Sequence, residues 1–300
     1  MSVTTSVQSN WTSEATTRAP RSLFRDAWRR LFRSWNGRVG LLIISITILI
    51  GVLAPIVSPY DPTTDSNLGD ARLAPSFDHP FGTDRLGRDV FRRIVHGTRI
   101  SLTIGFVVVL FTSVTGTILG LIAGYFGKGV DTLIMRIMDI LLAFPSILLA
   151  IAIVAVRGPG VINTILAVAI VGVPGYARVV RSMVLSLKER DYVDAARMIG
   201  VRDMRIMFIH ILPNSLSPII VQMTLGVGGA VLFAAALGFL GLGIQPPAPE
   251  WGAMIGDGIP FLRQSPHLVF FPGMAIMLTV LGFNLLGDGL RDALDPQLRD

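Results

Sequence analysis

The stretch "DYVDAARMIG", Asp191 to Gly200, sits between two long apolar runs. Helical spacing puts Tyr192, Ala195, Ala196 and Ile199 on one face of a helix over 188–200, with Asp191, Asp194 and Arg197 around the rest. Gly200 suits the stop, because glycine takes the left-handed C′ geometry at no steric cost. Two adjacent alanines let another surface come close to the backbone. A helix lying on lipid headgroups carries large apolar anchors and a mostly basic polar face, which this one lacks. The pattern predicts a helix that docks to a protein.

The rest of the chain reads as membrane. Of 300 residues, 51% are hydrophobic and 15% charged, and the mean hydropathy is +0.63, outside the balance of soluble domains. A net charge of +6 would suit nucleic acid only if the positive charges formed a face on a folded domain, whereas here they lie between apolar runs. There are no cysteines, which excludes disulfides, thiolate chemistry and cysteine metal sites. Residues 1–20 are rich in Ser and Thr without apolar periodicity and are expected to be disordered. The first apolar run begins only at Val39, too late for a signal peptide.

A crossing helix needs about 20 mostly apolar residues. Six candidates follow: Val39–Val57, Ile100–Phe126, Leu133–Val156, Gly158–Ala177, Pro218–Gly241 and His267–Gly287. Pro145, Pro174, Pro218 and Pro272 are candidate kinks. Six spans put both termini on one side. Residues 1–38 hold seven arginines against two acids, and 178–217 hold seven Lys or Arg against four acids, so both belong in the cytoplasm. The outer loop 58–99 balances six arginines with six aspartates. Trp28, Trp35, Tyr60 and Trp251 suit interfacial anchors. A core of five helices over 100–290 and a cytoplasmic tail at 291–300 complete the plan, in which Asp288, Arg291, Asp292 and Asp295 form a capped helix end.

Candidate chemistry is sparse. Gly82–Asp89, "GTDRLGRD", has P-loop glycine spacing, but Arg88 and Asp89 replace the Lys and Ser/Thr that reach phosphate and magnesium. Asp84 inside the loop would repel phosphate. No other stretch matches, so this chain is not expected to hydrolyse ATP. His79, His96, His210 and His267 have no paired metal spacing, and no G-x-S-x-G turn occurs. Mid-span positions are nearly bare of the ionisable groups that stand-alone carriers keep. Asp139 beside Arg136 reads as a paired interfacial charge, and Gly116, Gly120 and Gly124 read as a close-packing face.

D-A-A-x-x-x-G at Asp194–Gly200, nine residues, then H-I-L-P at His210–Pro213 resembles the cytoplasmic signature of ABC importer permeases. Asp194 stands where that family has Glu, and His210 where it has Ile. The H-x-L-P-N form, "HPFGTDRLGRDV" at His79–Val90, "HGTRISL" at His96–Leu102, "FLGLGIQPP" at Phe239–Pro247, "WGAM" at Trp251–Met254 and "GDGLRDALDP" at Gly287–Pro296 extend the likeness. It covers roughly residues 22–299 and is to the dipeptide/oligopeptide/nickel branch, C-type subunit.

The resemblance implies an all-α type I importer permease core, MetI-like, in the cytoplasmic membrane. It implies a related B-type permease partner, one or two separate ATPase subunits that bind ATP and Mg2+, and an external peptide-binding protein. No cofactor is expected in this chain. Tyr192, Asp194, Ala195, Ala196, Ile199, Gly200, His210, Leu212 and Pro213 would form the ATPase-docking segment. Asp84, Arg85, Arg88 and Asp89 are candidates for binding-protein contact, with a local salt-bridged turn as the alternative. The solute, whether dipeptide, oligopeptide, nickel or another, stays open.

Overall fold

A computed structural model describes residues 23–61 and 64–294, so the expected disorder at 1–20 and Asp295 with the final tail lie outside the described residues. The regular elements among those residues are helices, and no strand occurs among them. The order is α1 (Leu23–Arg33), α2 (Trp35–Val57), α3 (Val90–Phe126), α4 (Lys128–Ala143), α5 (Ser146–Arg157), α6 (Val161–Leu187), α7 (Asp191–Met198), α8 (Asp203–Arg205), a π turn (Ile206–Ile211), α9 (Leu212–Phe239), α10 (Trp251–Gly258) and α11 (His267–Leu294). Five runs are long and apolar enough to cross a membrane, or six if the bent pair α4–α5 counts as one.

The spans differ from the sequence expectation where local chemistry intervenes. Helix α3 starts at Val90, ten residues before the expected span, because Asp89 caps it by accepting from the Arg92 N–H at 3.0 Å. The third span is not straight. Pro145 supplies no N–H and drives Phe144 to extended backbone (φ −91°, ψ 139°), and α4 and α5 meet there at 91°. The other three prolines lie inside continuous helices.

Small residues decide which helices touch. Gly116, Gly120 and Gly124 face α6, where a Cβ on Gly120 would come within 2.9 Å of the Val180 Cβ and one on Gly124 within 2.7 Å of the Val184 Cβ. Close backbone approach lets dispersion hold the pair in a solvent that offers no hydrophobic drive between helices. Around it, Val108, Val109, Ala167, Val168, Val227, Val231 and Ala234 form the main core. Helix α11 packs between α2 and α9, with Gly282 against Ile43 and Ile44 of α2.

Outside the core, loop 64–89 is locked rather than loose. Asp84 is buried and accepts from Arg88 Nε at 2.7 Å and Arg93 Nη1 at 2.6 Å, while its other oxygen takes the Leu86 and Arg88 N–H groups. His267 Nε2 stands 3.3 Å from the Thr83 carbonyl, tying the loop to α11. Trp251 is not an interfacial anchor: it is buried, and its Nε1 donates to the Ile94 carbonyl at 3.1 Å. Tyr60 is likewise drawn inward, with its ring 5.4 Å from that of His96. Burial raises its phenol above the ordinary value. Trp28 and Trp35 are exposed, as anchors require.

Candidate functional site

Helix α7 occupies Asp191–Met198, shorter than the expected 188–200. Asp191 and Asp194 lie in its first turn and Arg197 in its last, each complementing the helix dipole. Its end is a Schellman motif: the Gly200 N–H donates to the Arg197 carbonyl at 3.0 Å and the Val201 N–H to the Ala196 carbonyl at 3.0 Å. Gly200 has φ +79°, so the expectation for that glycine holds.

The face that packs inward differs from the sequence reading. Val193 and Ala196 are buried, in a cluster with Leu121, Tyr125, Val180, Val184, Ile206, Met207 and Ile211. Tyr192, Asp194, Ala195 and Ile199 are exposed. Ala196 therefore seats the helix on its own protein, and only Ala195 of the pair is open to a partner. The expectation erred because spacing groups residues on a face without saying which side the chain's other helices occupy.

Several bonds pin this seat to the spans. The Tyr125 hydroxyl at the end of α3 donates to Asp203 Oδ1 at 2.6 Å, and the Arg197 guanidinium lies 5.5 Å above the Tyr125 ring. Arg197 also pairs with Asp194 at 3.1 Å. Lys188 Nζ donates to the Gly124 carbonyl at 3.1 Å, joining α6 to α3.

Beside α7, His210 and Leu212 are half-buried and Pro213 is exposed. They lie in an unbroken helical run from Asp203 to Phe239. Pro213 cannot donate to the Ile209 carbonyl and its ring crowds that group, and the turn before it widens to π: the Leu212 N–H bonds the Met207 carbonyl, five residues back. Asn214 Nδ2 donates to the His210 carbonyl at 2.7 Å. The His210 segment thus shapes the start of α9, and Asn214 Nδ2 also reaches the Tyr192 hydroxyl of α7 at 3.5 Å.

The sequence reading passed over two residues of this helix, one that completes the surface and one that seats it from beneath. Met198 is 88% exposed, one residue from Ile199 at 80%. Val193 is the helix's innermost side chain. The available signal was the apolar Met198 on a solvent-facing helix, one turn after Asp194. The surface holds two projecting apolar chains beside a small residue and the carboxylate of Asp194, paired with Arg197. It can fill an apolar pocket on another protein, and has no group arranged for catalysis.

On the opposite end, the four loop candidates separate. Asp84 and Arg88 are buried and paired, so they build the turn and cannot touch a partner directly. Asp89 caps α3 and lies 2.9 Å from His79. Arg85 is exposed, 3.6 Å from Asp257. Nearby, buried Glu250 caps α10 by accepting from the Gly252 and Ala253 N–H groups, each at 2.8 Å. Burial pushes its carboxyl above the usual range, and the two amides pull it partly back.

Comparison with known proteins agrees over most of the chain. The family model described as "Binding-protein-dependent transport system inner membrane component" matches residues 116–300, and that for the N-terminal TM domain of oligopeptide transport permease C matches 22–75. A dipeptide transport system permease protein, DppC, of Alkalihalophilus pseudofirmus is 56% identical over 93% of this chain and 91% of its own. A glutathione transport system permease protein, GsiD, of Pectobacterium atrosepticum is 48% identical over 93% of each. The fold is similar to inward-facing conformations of the MetNI methionine ABC transporter, with TM-score 0.56 and 21% identity over 68% of this chain and 97% of that one.

Proposed function

The chain belongs to the family of binding-protein-dependent transport system inner membrane components, and on that footing we propose that it is the C-type permease subunit of an ATP-driven importer of dipeptides or oligopeptides. The observation that carries the mechanism is α7: seated by Val193 and Ala196, it turns Ala195, Met198 and Ile199 outward. The peptide class is supported by relatives that transport dipeptides or glutathione, as their names state.

In this reading α7 is the coupling helix and sits in a groove on a separate ATPase subunit. ATP and Mg2+ belong to that partner. When two ATPase subunits close, α7 moves, and the Tyr125–Asp203 and Lys188–Gly124 bonds carry the displacement to α3, α6 and α9 as one body. A packed cluster transmits such a push because it is bistable rather than soft. The Lys and Arg excess of residues 1–38 and 178–217 favours a cytoplasmic N-terminus and α7, and six spans return the C-terminus to the same side. A related B-type permease completes the pathway, and an external peptide-binding protein meets the outer loops, where Arg85 is open to it.

The test is reconstitution in proteoliposomes with the partner permease, the ATPases and the binding protein. ATP-dependent accumulation of labelled peptide is expected, and none from this chain alone. Uptake by the purified chain alone under an ion gradient would make it a secondary carrier and refute the reading.

A further inference from the structure

Helix α6 has two unlike sides. Val173, Ala177, Val180 and Val184 are buried against the neighbouring helices. Between Gly175 and Ser186 the exposed residues are Gly175, Arg178, Ser182 and Ser186, three or four apart and therefore one stripe. No large aliphatic chain is exposed there. Helices α2 and α3 instead expose Leu42, Leu49, Val52, Leu110 and Val114. A span side that meets acyl chains is apolar like theirs, whereas a polar side faces water or protein.

The stripe carries one charge, that of Arg178. Arg178 Nη2 lies 2.6 Å from Asp139 Oδ1 of α4, and the two side chains are 53% and 54% exposed. Asp139 thus pairs across to α6 rather than with Arg136 on its own helix. Arg178 stands nine residues before Leu187, about 14 Å inside that end at the α-helical rise. From α9, Gln222 Nε2 comes 3.9 Å from where a Cβ on Gly175 would be.

We propose that this stripe lines the aqueous route of the solute, and that Arg178 and Asp139 part to bracket a zwitterionic peptide. Arg178 takes the terminal carboxylate, for which its planar fork is matched. Asp139 takes the terminal ammonium. Without cargo the two groups neutralise each other, which avoids an isolated charge at depth. A zwitterion replaces one ion pair with two and leaves the net charge unchanged, whereas a peptide capped at one end leaves one group unpaired. The cargo identity rests on the peptide-importer reading; the water-lined route does not.

This chain has no cysteine, so labelling read on it alone is a direct test in the full transporter, using single-cysteine variants Ser182→Cys and, as a lipid-side control, Leu110→Cys. A membrane-impermeant sulfonated thiosulfonate should modify the first rapidly, more slowly during peptide transport, and the control hardly at all. If Ser182→Cys is as inert as the control, lipid or the partner permease covers the stripe and the proposal falls. Arg178→Gln should lower uptake of an uncapped dipeptide, measured per assembled complex, by about tenfold or more, the loss expected for one charge-assisted bond. Arg178→Lys should restore part of it. The swap of Asp139→Arg with Arg178→Asp should not, because the peptide would have to enter end for end reversed. Full rescue by the swap would mean a structural ion pair and overturn the specificity role. If the unaltered complex moves no peptide while Ser182→Cys is still labelled, the cargo assignment fails and the route stands.

Discussion

Replacing Met198 and Ile199 together by serine isolates docking from folding. Both side chains are mostly in solvent, at 88% and 80% exposure, so their loss should change the permease's own stability by no more than about 0.5 kcal/mol. Full burial of one such side chain gives roughly 1.5–3 kcal/mol. With about four-fifths of each still available to a partner, the pair can contribute roughly 2.4–4.8 kcal/mol to association. Even the lower bound corresponds to about 60-fold weaker binding. The assay is titration of ATPase subunits onto the permease complex in lipid nanodiscs, with thermal unfolding measured in parallel. Val193→Ser is the contrasting variant: its side chain is fully buried, so unfolding should move first and association only as a consequence. Ala196→Arg belongs with Val193→Ser, because the new side chain would drive α7 off Ile206 and Met207. Association of the Met198/Ile199 variant at wild-type strength would refute the assignment of the exposed face. So would a melting loss as large as that of Val193→Ser.

Gly120→Val places a branched side chain against the Ala177 carbonyl and Val180, and overpacking of this kind costs about 1–3 kcal/mol; a lower unfolding midpoint in detergent is expected, and an unchanged one would contradict the close α3–α6 contact. Asp84→Ala leaves Arg88 and Arg93 buried without their carboxylate and should cost about 3–5 kcal/mol. Adding Arg88→Met and Arg93→Met should recover much of that in the same unfolding assay. For Glu250, the raised carboxyl means that the folded state holds its proton more tightly than the unfolded chain. Its contribution to stability therefore falls as pH rises from the ordinary carboxylate range through the folded-state value. Glu250→Gln keeps an acceptor for the Gly252 and Ala253 amides and should flatten that slope in a melting series from about pH 4 to about pH 7. Glu250→Ala should lose about 0.5–2 kcal/mol with the cap.

The sequence by itself determined that the chain is a bundle of membrane helices, because runs as apolar as "VGLLIISITILIGVLAPIV" have few alternatives in lipid. It also determined that Asp191–Gly200 is a capped helix ending at a glycine, since spacing and the left-handed stop are local properties. The glycines of α3 announced a close neighbour, though not that the neighbour is α6. Tertiary structure alone decided which side of α7 faces outward: the cluster of Leu121, Val180, Ile206 and Met207 claims Val193 and Ala196 and leaves Met198 and Ile199 free. It alone paired Asp139 with Arg178 instead of Arg136, and buried Asp84 between two arginines. Each of these outcomes depends on chain segments distant in sequence or on the way a turn closes, whereas periodicity reports only the angle between residues on one helix.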